Sequence, residues 1–439
     1  MPWPYHPDLL ATPVPRYTSF PTAAEFEPTV SHDDVASALA TSTGEVSLYV
    51  HIPFCEKICW YCGCNTAAAN RVQRLQTYLA ALHQEITLVA SLLGPDATIG
   101  RIAYGGGSPN ALAPEDFLAL HDALLTQFPV VADPVVSIEL DPRTLSDDWR
   151  SVLRRVRVTN ASMGVQTFAP RLQAAIGRVQ PEELIARGVE LLRDAGVQSL
   201  NFDLMYGLPG QGDADLAETL ALAARYGADR IALFGYAHVP HMLPRQRRID
   251  ASALPGQEAR FAMASDGYRQ LCDAGYVPVG FDHFALPGDP LAQAALNGNL
   301  RRNFQGFTDD QANVLIGLGA SAISSFPALH AQNEKNAGRY RMILSQGRLP
   351  AALGVRRSAT DIARGAVIES LLCHGRANVA GLVDKAMEDR LRPFLARDLA
   401  YFDGDALVIR TEAVAYMRSI AAVFDPYRVV STRKFSTAI

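Results

Sequence analysis

Alternating strand-like and helix-like segments predict an α/β fold built on a parallel sheet or partial barrel, followed by a smaller, mostly helical C-terminal part. Three observations carry this prediction. Apolar, β-rich runs alternate with helical patterns from Val46 onward, those runs alternate polar with apolar residues, and the pattern turns mainly helical after about Asp310.

The strand-like runs are Ser47 to Phe54, Arg101 to Tyr104, Val135 to Leu140, Asn160 to Val165, Gln198 to Met205 and Arg230 to Tyr236. Between the first two, Leu75, Leu79, Leu82, Ile86, Val89 and Leu93 recur at the three- and four-residue spacing of an amphipathic helix. Strands covered on both faces read as continuous apolar runs; these do not. Leu48, Val50 and Ile52 share one face and Tyr49 and His51 the other, because strand side chains change sides with period two. Ser137, Glu139 and Asp141 likewise oppose Val136, Ile138 and Leu140. Ser162, Gly164 and Gln166 oppose Met163 and Val165, and Asn201 and Asp203 oppose Leu200, Phe202 and Leu204. Helices over the apolar face and a cavity on the polar face account for this. A half-exposed antiparallel sheet would alternate too, but would not need the intervening helices.

Residues 1–45 form a Pro-rich arm containing Arg16-Tyr17-Thr18-Ser19-Phe20-Pro21-Thr22, residues 46–310 the strand–helix repeat, and residues 311–439 the mostly helical part. Within the last, Leu399 to Phe402 and Ala406 to Ile409 read as a strand pair turning at Asp403-Gly404-Asp405. No internal repeat or low-complexity segment is visible.

With 49% hydrophobic residues among 439, the chain can bury a large core. Lys and Arg total 40 against 45 Asp and Glu, so the formal charge of -5 offers no basic field and nucleic acid is not an expected partner. The first ten residues carry three prolines and no long apolar stretch, so no signal peptide or transit helix is visible. No apolar run approaches the ~20 residues that span a bilayer, and a cytoplasmic location is expected. Of six cysteines, four crowd into Cys55 to Cys64 while Cys272 and Cys373 stand apart, which is not a disulfide framework.

Cys55-Glu-Lys-Ile-Cys59-Trp-Tyr-Cys62 puts three thiols on one loop directly after a strand, where parallel barrels carry active-site loops. Three thiolates can hold three corners of a cubic four-iron cluster. Electron-transfer clusters use four cysteines, so this set leaves one iron open to a ligand. In the chemistry associated with this spacing the ligand is S-adenosylmethionine, cleaved to a 5′-deoxyadenosyl radical. Cys64 is available as a fourth ligand, although the spacing accounts for the site without it. A structural zinc site would need a second ligand pair, and none follows. Gly105-Gly106-Gly107 after the second strand lets backbone approach a ligand closely, here the amino-acid end of S-adenosylmethionine, although such a run also serves as a plain turn.

Nearly end to end, the chain resembles the oxygen-independent coproporphyrinogen III oxidases. The resemblance runs through Tyr17-Thr18-Ser19-Phe20-Pro21-Thr22, Tyr49-Val50-His51-Ile52-Pro53-Phe54-Cys55, Cys62-Gly63-Cys64 and Gly105-Gly106-Gly107-Ser108-Pro109. It continues in Ser162-Met163-Gly164-Val165-Gln166, Asp203-Leu204-Met205-Tyr206-Gly207-Leu208-Pro209, Tyr236-Ala237-His238, Asp282-His283-Phe284-Ala285 and Arg302-Asn303-Phe304-Gln305-Gly306. It implies a partial parallel (β/α)6 radical-SAM barrel holding a [4Fe-4S] cluster on Cys55, Cys59 and Cys62, with two S-adenosylmethionine molecules. By motif match the first would contact Tyr49, Tyr61, Gly106, Glu139 and Ile323, and the second Gly107, Ser108, Gln166, Arg178, Asp203 and Ala237.

The implied reaction is oxidative decarboxylation of two propionates of coproporphyrinogen III to vinyls, giving protoporphyrinogen IX. Implied partners are this tetrapyrrole, bound through arginine forks to its four carboxylates, and an electron donor such as flavodoxin or ferredoxin, with the protein a monomer. The arm at Tyr17 to Thr22 would lie near the substrate or strap the surface. Ser108 stands where Thr is common, Phe20 where Tyr is usual, Gly177 where Asn is frequent before Arg178, and Thr167 where Asp can follow Gln166. The rival is a related haem chaperone that keeps the cluster loop without oxidase activity. Cys64 and the arm speak for the oxidase branch.

Overall fold

The computed structural model describes residues 3–69 and 71–430. Six strands, β1 (Gly44–Ile52), β2 (Ala97–Gly106), β3 (Val130–Leu140), β4 (Asn160–Gln166), β5 (Ser199–Tyr206) and β6 (Arg230–Gly235), pair in sequence order, each parallel to the next. Parallel neighbours need crossovers, and helices Val72–Leu92, Pro114–Gln127, Trp149–Val156, Glu182–Ala195 and Asp213–Arg225 supply them. The faces follow the expected alternation. Leu48, Val50 and Ile52 are 0% exposed, and Ile138, Leu140, Phe202 and Leu204 are buried with them.

Two flanks complete a twelve-stranded sheet. Beyond β6 lie the antiparallel strands β7 (Val277–Val279) and β8 (His283–Ala285). On the other side of β1 come β9 (Leu315–Leu318), parallel to it, then the antiparallel β10 (Ile323–Phe326), β11 (Leu329–Asn333) and β12 (Ala351–Arg356). The order is β12-β11-β10-β9-β1-β2-β3-β4-β5-β6-β8-β7.

The sheet therefore runs through residue 311, where sequence pattern placed the start of a mostly helical part. Leu315–Leu318 is only four residues long and buried throughout, too short for periodicity to separate from a helical turn. Predominantly helical structure begins at Ala359–His374, and the expected hairpin is present as Ala400–Asp403 and Ala406–Ile409, joined by a third strand at Arg376–Asn378. The arm is not a surface strap at its motif. Tyr17, Phe20 and Thr22 are buried, and the Tyr17 hydroxyl donates to Asp425 at 3.0 Å.

Helix Val72–Leu92 fixes the end of β1 from outside. The Tyr78 hydroxyl donates to the His51 carbonyl at 2.7 Å and accepts from the Ala320 N–H at 3.0 Å. One helical stretch along, buried Glu85 accepts from the Gly319 N–H (2.6 Å), the Tyr340 hydroxyl (2.6 Å) and Asn333 Nδ2 (2.7 Å). Burial nevertheless pushes its carboxyl from 4.5 to about 7, the three donors only moderating the shift. Between those values the folded state keeps a proton that the unfolded chain has lost, so this group's contribution is complete below 4.5 and declines by on the order of 3 kcal/mol as pH rises through about 7. Glu85→Gln should therefore gain on wild type in urea-unfolding free energy as pH is raised from 5 to 8. Parallel pH curves for the two proteins would contradict this.

Candidate active site

The chain leaves β1 through Pro53 into a loop whose two ends are tied together by its backbone. Phe54–Cys55 pairs with Ala67–Ala68, and the N–H groups of Ala67 and Ala69 donate to the Pro53 and Cys55 carbonyls at 2.8 and 2.9 Å. Cys59 is buried, Cys55 and Cys62 are half-buried, and Cys64 is exposed. All four line one cavity with Tyr61, Gly106, Gly107, Ser108, Glu139, Gln166, Arg178 and Asp203. Eight of the eleven residues expected to hold S-adenosylmethionine thus surround the three expected cluster ligands.

Cys59 sits under two guanidinium groups. Arg178 Nη1 and Arg143 Nη2 donate to its sulfur at 3.1 and 3.3 Å. Both cations also meet Asp141, Arg143 at 2.6 Å and Arg178 at 3.4 Å. Burial alone would raise the Asp141 carboxyl, but Arg178 and Arg143 hold it below the ordinary carboxylate range. A hydrogen bond from Cys64 brings the Cys62 thiol down to about 6 against burial, helped by Arg245 and Arg178, whereas burial pushes Cys55 up to about 12.

This donor set fits an iron–sulfur cluster. Thiolates are its ligands, and two buried cations offset their charge while their N–H groups reach sulfur, a contact that tunes such clusters. Among the described residues no three side chains converge as ligands of a single metal ion. In a cubic cluster each cysteine takes a different iron, so the three sulfurs need not converge on one point.

Glycine is required beside this loop. Gly106 has φ +100°, and a Cβ there would lie 2.2 Å from the His51 ring; at Gly107 it would lie 2.4 Å from the Phe54 carbonyl oxygen. The Gly107 and Ser108 N–H groups donate to Ile52 and Phe54, so the strip is hydrogen-bonded to the strand that carries the cysteines. The Gly106 N–H donates to Glu139 at 3.0 Å. Glu139 faces the cavity, and desolvation, with Asp203 and Cys62 nearby, pushes it up to about 7 despite that bond.

Ser108 is buried and its hydroxyl donates to Asn110 Oδ1 at 2.9 Å. Gln166 holds φ +68° at a register shift in β4, a conformation rare outside glycine. Asp203 accepts from Asn201 at 2.9 Å and Ser162 at 3.2 Å, and burial raises its pKa. Arg178 is anchored by Nη2 and Nε on the Gly164 carbonyl at 2.6 and 2.9 Å. Gly177 adopts φ +66° against the Trp60 ring, so the turn presenting Arg178 suits glycine.

Tyr49, Ala237 and Ile323 are not in the lining of that cavity. The Tyr49 hydroxyl lies 3.1 Å from His51 Nδ1, on the same face. Tyr49 pairs with Gly317, a Cβ on which would meet the Ile323 backbone, so Ile323 stands in the Tyr49 row two strands away. Ala237 lines a separate small cavity with Tyr206 and Arg260. Its carbonyl accepts from Gln246 Nε2 at 3.0 Å, and the same nitrogen donates to the Tyr61 carbonyl at 3.1 Å. Sequence reasoning missed Arg143 and Gln246. Arg143 had a readable signal, two residues past the polar face of β3 at Asp141-Pro142-Arg143; Gln246 had none.

An open-coordinate cysteine loop on a parallel α/β sheet with a polar inner face defines the radical S-adenosylmethionine class. The model described as the Radical SAM superfamily matches residues 49–223. The chain is 40% identical over 425 residues to the oxygen-independent coproporphyrinogen III oxidase of Bradyrhizobium diazoefficiens, covering 94% of each. It is 36% identical to the protein of the same name from Escherichia coli K12, covering 94% of this chain and 93% of that one. The solved structure titled coproporphyrinogen III oxidase (HemN) from Escherichia coli, a radical SAM enzyme, superposes with TM-score 0.89 at 34% identity over 97% of this chain and 100% of that one. The chain belongs to the oxygen-independent coproporphyrinogen III oxidase family. The cofactors of that family, a [4Fe-4S] cluster and S-adenosylmethionine, are those its donor set fits. No helix among the described residues is long and apolar enough to cross a membrane.

Proposed function

We propose that this protein converts two propionates of coproporphyrinogen III to vinyls without oxygen. The observation that carries this reading is the cavity in which the three loop cysteines meet Glu139, Gln166, Arg178 and Asp203, set in a chain alike from end to end with enzymes of that name. When bound, with Cys55, Cys59 and Cys62 as cluster ligands, the cluster and S-adenosylmethionine would supply radical abstraction of hydrogen from a propionate β-carbon, with carbon dioxide released and the remaining electron passed to an external electron acceptor.

The chain's own residues position and enclose. Cys55, Cys59 and Cys62 hold the cluster, with Arg143 and Arg178 donating to Cys59. Gly106 and Glu139 hold the amino-acid end of one S-adenosylmethionine, alongside Tyr61, Tyr49 and Ile323. Gln166, Arg178, Asp203 and Ala237 with Gly107 and Ser108 receive a second. A flavodoxin- or ferredoxin-type donor supplies electrons to a cytoplasmic monomer.

The test is anaerobic reconstitution with iron and sulfide, followed by incubation with coproporphyrinogen III, S-adenosylmethionine and reductant. Vinyl product and 5′-deoxyadenosine are expected together. 5′-Deoxyadenosine without vinyl product would refute the substrate, and haem binding without turnover would point to the chaperone branch.

A further inference from the structure

A second cavity, of about 390 Å³, is floored by the same sheet, on the strands that flank β1 on the side away from β2. Its floor includes Leu315 of β9 and Ser325 of β10, which pair with each other, and Leu315 stands beside Ser47 of β1. From Ser47 to His51, against which Gly106 packs, is four residues of strand, roughly 13 Å. Leu315 shares the face of β1 that carries Ser47, Tyr49 and His51, and Gly106 of the first cavity packs on His51, so the two cavities are served by one face of the sheet. The arm from Tyr17 to Phe20 and helix Ala359–His374 wall the second one.

Cations here exceed their partners. Two carboxylates line the cavity, and both are engaged. Glu369 accepts from Arg301 Nε at 2.9 Å and from the Arg302 N–H at 3.0 Å. Asp310 accepts from the Ser47 hydroxyl and lies 3.7 Å from Arg101. Arg302 donates Nε and Nη2 to the Tyr17 and Arg16 carbonyls and rests 4.2 Å from the Phe307 ring centre, yet its buried Nη1 has no partner among the described residues. Arg357 donates Nη1 to the Pro327 carbonyl; its buried Nε is unpartnered, and no ion pair engages it among the described residues.

His330 is 4% exposed and reaches the Phe20 carbonyl through Nε2 at 3.2 Å, leaving Nδ1 buried without a partner. Burial, reinforced by the charge of Arg357, pushes this imidazole down to about 4, so Nδ1 is an unfilled acceptor at neutral pH. Buried donors and cations left unpaired are costly. The set asks for a ligand that carries carboxylates together with N–H groups, as a propionate-bearing porphyrinogen does.

We infer that this cavity is the carboxylate subsite for the end of the substrate that is not being oxidised, with Arg357 and Arg302 binding its propionates, an inference that rests on the tetrapyrrole substrate proposed above. Arg302 also holds the arm in place through the Tyr17 and Arg16 carbonyls, so the subsite and the anchoring of the arm share one side chain. Leu315, Phe304 and Phe20 supply apolar surface for the macrocycle beside the charged groups.

The test uses the full-length, cluster-reconstituted enzyme and two probes, coproporphyrin III and its tetramethyl ester, followed by fluorescence. Arg357→Met should weaken tetra-acid binding, and raise KM for coproporphyrinogen III, about tenfold or more, with a smaller change in kcat. It should leave ester binding at the wild-type level, and Arg357→Lys should restore part of the tetra-acid affinity. Ser325→Glu, which adds a carboxylate to the floor and removes no guanidinium, should weaken the tetra-acid selectively in the same way. Wild-type tetra-acid affinity in both Arg357→Met and Ser325→Glu would overturn the subsite, as would equal losses for acid and ester. Failure of the wild-type enzyme to make vinyl product would instead overturn the proposed function, and the binding comparison would still read out the subsite.

Discussion

Cys59→Ala is expected to yield a folded protein with neither cluster absorbance after reconstitution nor 5′-deoxyadenosine above background. The substitution removes one of three thiolates and the sulfur that Arg143 and Arg178 both address. Two cysteines cannot hold a cluster that needs three corners, and Cys64, unlike the buried Cys59, is exposed. Cys64→Ser is the comparison. It should reconstitute to the wild-type absorbance. A Cys59→Ala protein that still builds the cluster, together with a Cys64→Ser protein that does not, would reassign the third ligand to Cys64.

Arg178→Met should produce the next largest effect, on stability and activity together. The guanidinium bonds Gly164, Gln180, Cys59 and Asp141 from a buried position. Removing one member of a buried charge group costs about 3–5 kcal/mol where the partner is stranded. Arg143 still pairs with Asp141 at 2.6 Å, so the lower end of that range is expected in urea unfolding. Cleavage of S-adenosylmethionine should fall at least ~10-fold, the usual scale for groups that orient ligands. Because the lost N–H group points at a cluster sulfur, the potential of the reconstituted cluster should also shift. Arg178→Lys keeps charge without the fork and should recover stability more than activity. An unchanged potential in Arg178→Met would refute the contact with Cys59.

Strands β1, β3, β4 and β5 were legible because each shows period two, with helical patterns between the strand-like runs, and that period also indicated which side chains enter the cavity. Glu139, Gln166 and Asp203 were found in this way and do line it. What was not legible depends on partners distant in sequence. Strands β9 to β12 are four to six residues long and acquire their identity from pairing with β1 and one another. Ile323 stands in the same row as Tyr49 through Gly317, a relation no local pattern encodes. Gln246 bridges two carbonyls from a short helical turn rich in arginine, where nothing marks it out. The unpaired donors around Arg357 are likewise visible only once arm, sheet and helix are assembled.

The loop from Pro53 to Ala69 is tied at both ends by backbone hydrogen bonds, flanked by the glycine strip, and set on a strand whose apolar side chains are wholly enclosed. Cys55 lies within that tie, on paired backbone, whereas Cys59 and Cys62 lie between its two ends. An insertion between the ties would therefore displace Cys59 and Cys62 while leaving Cys55 anchored to the sheet.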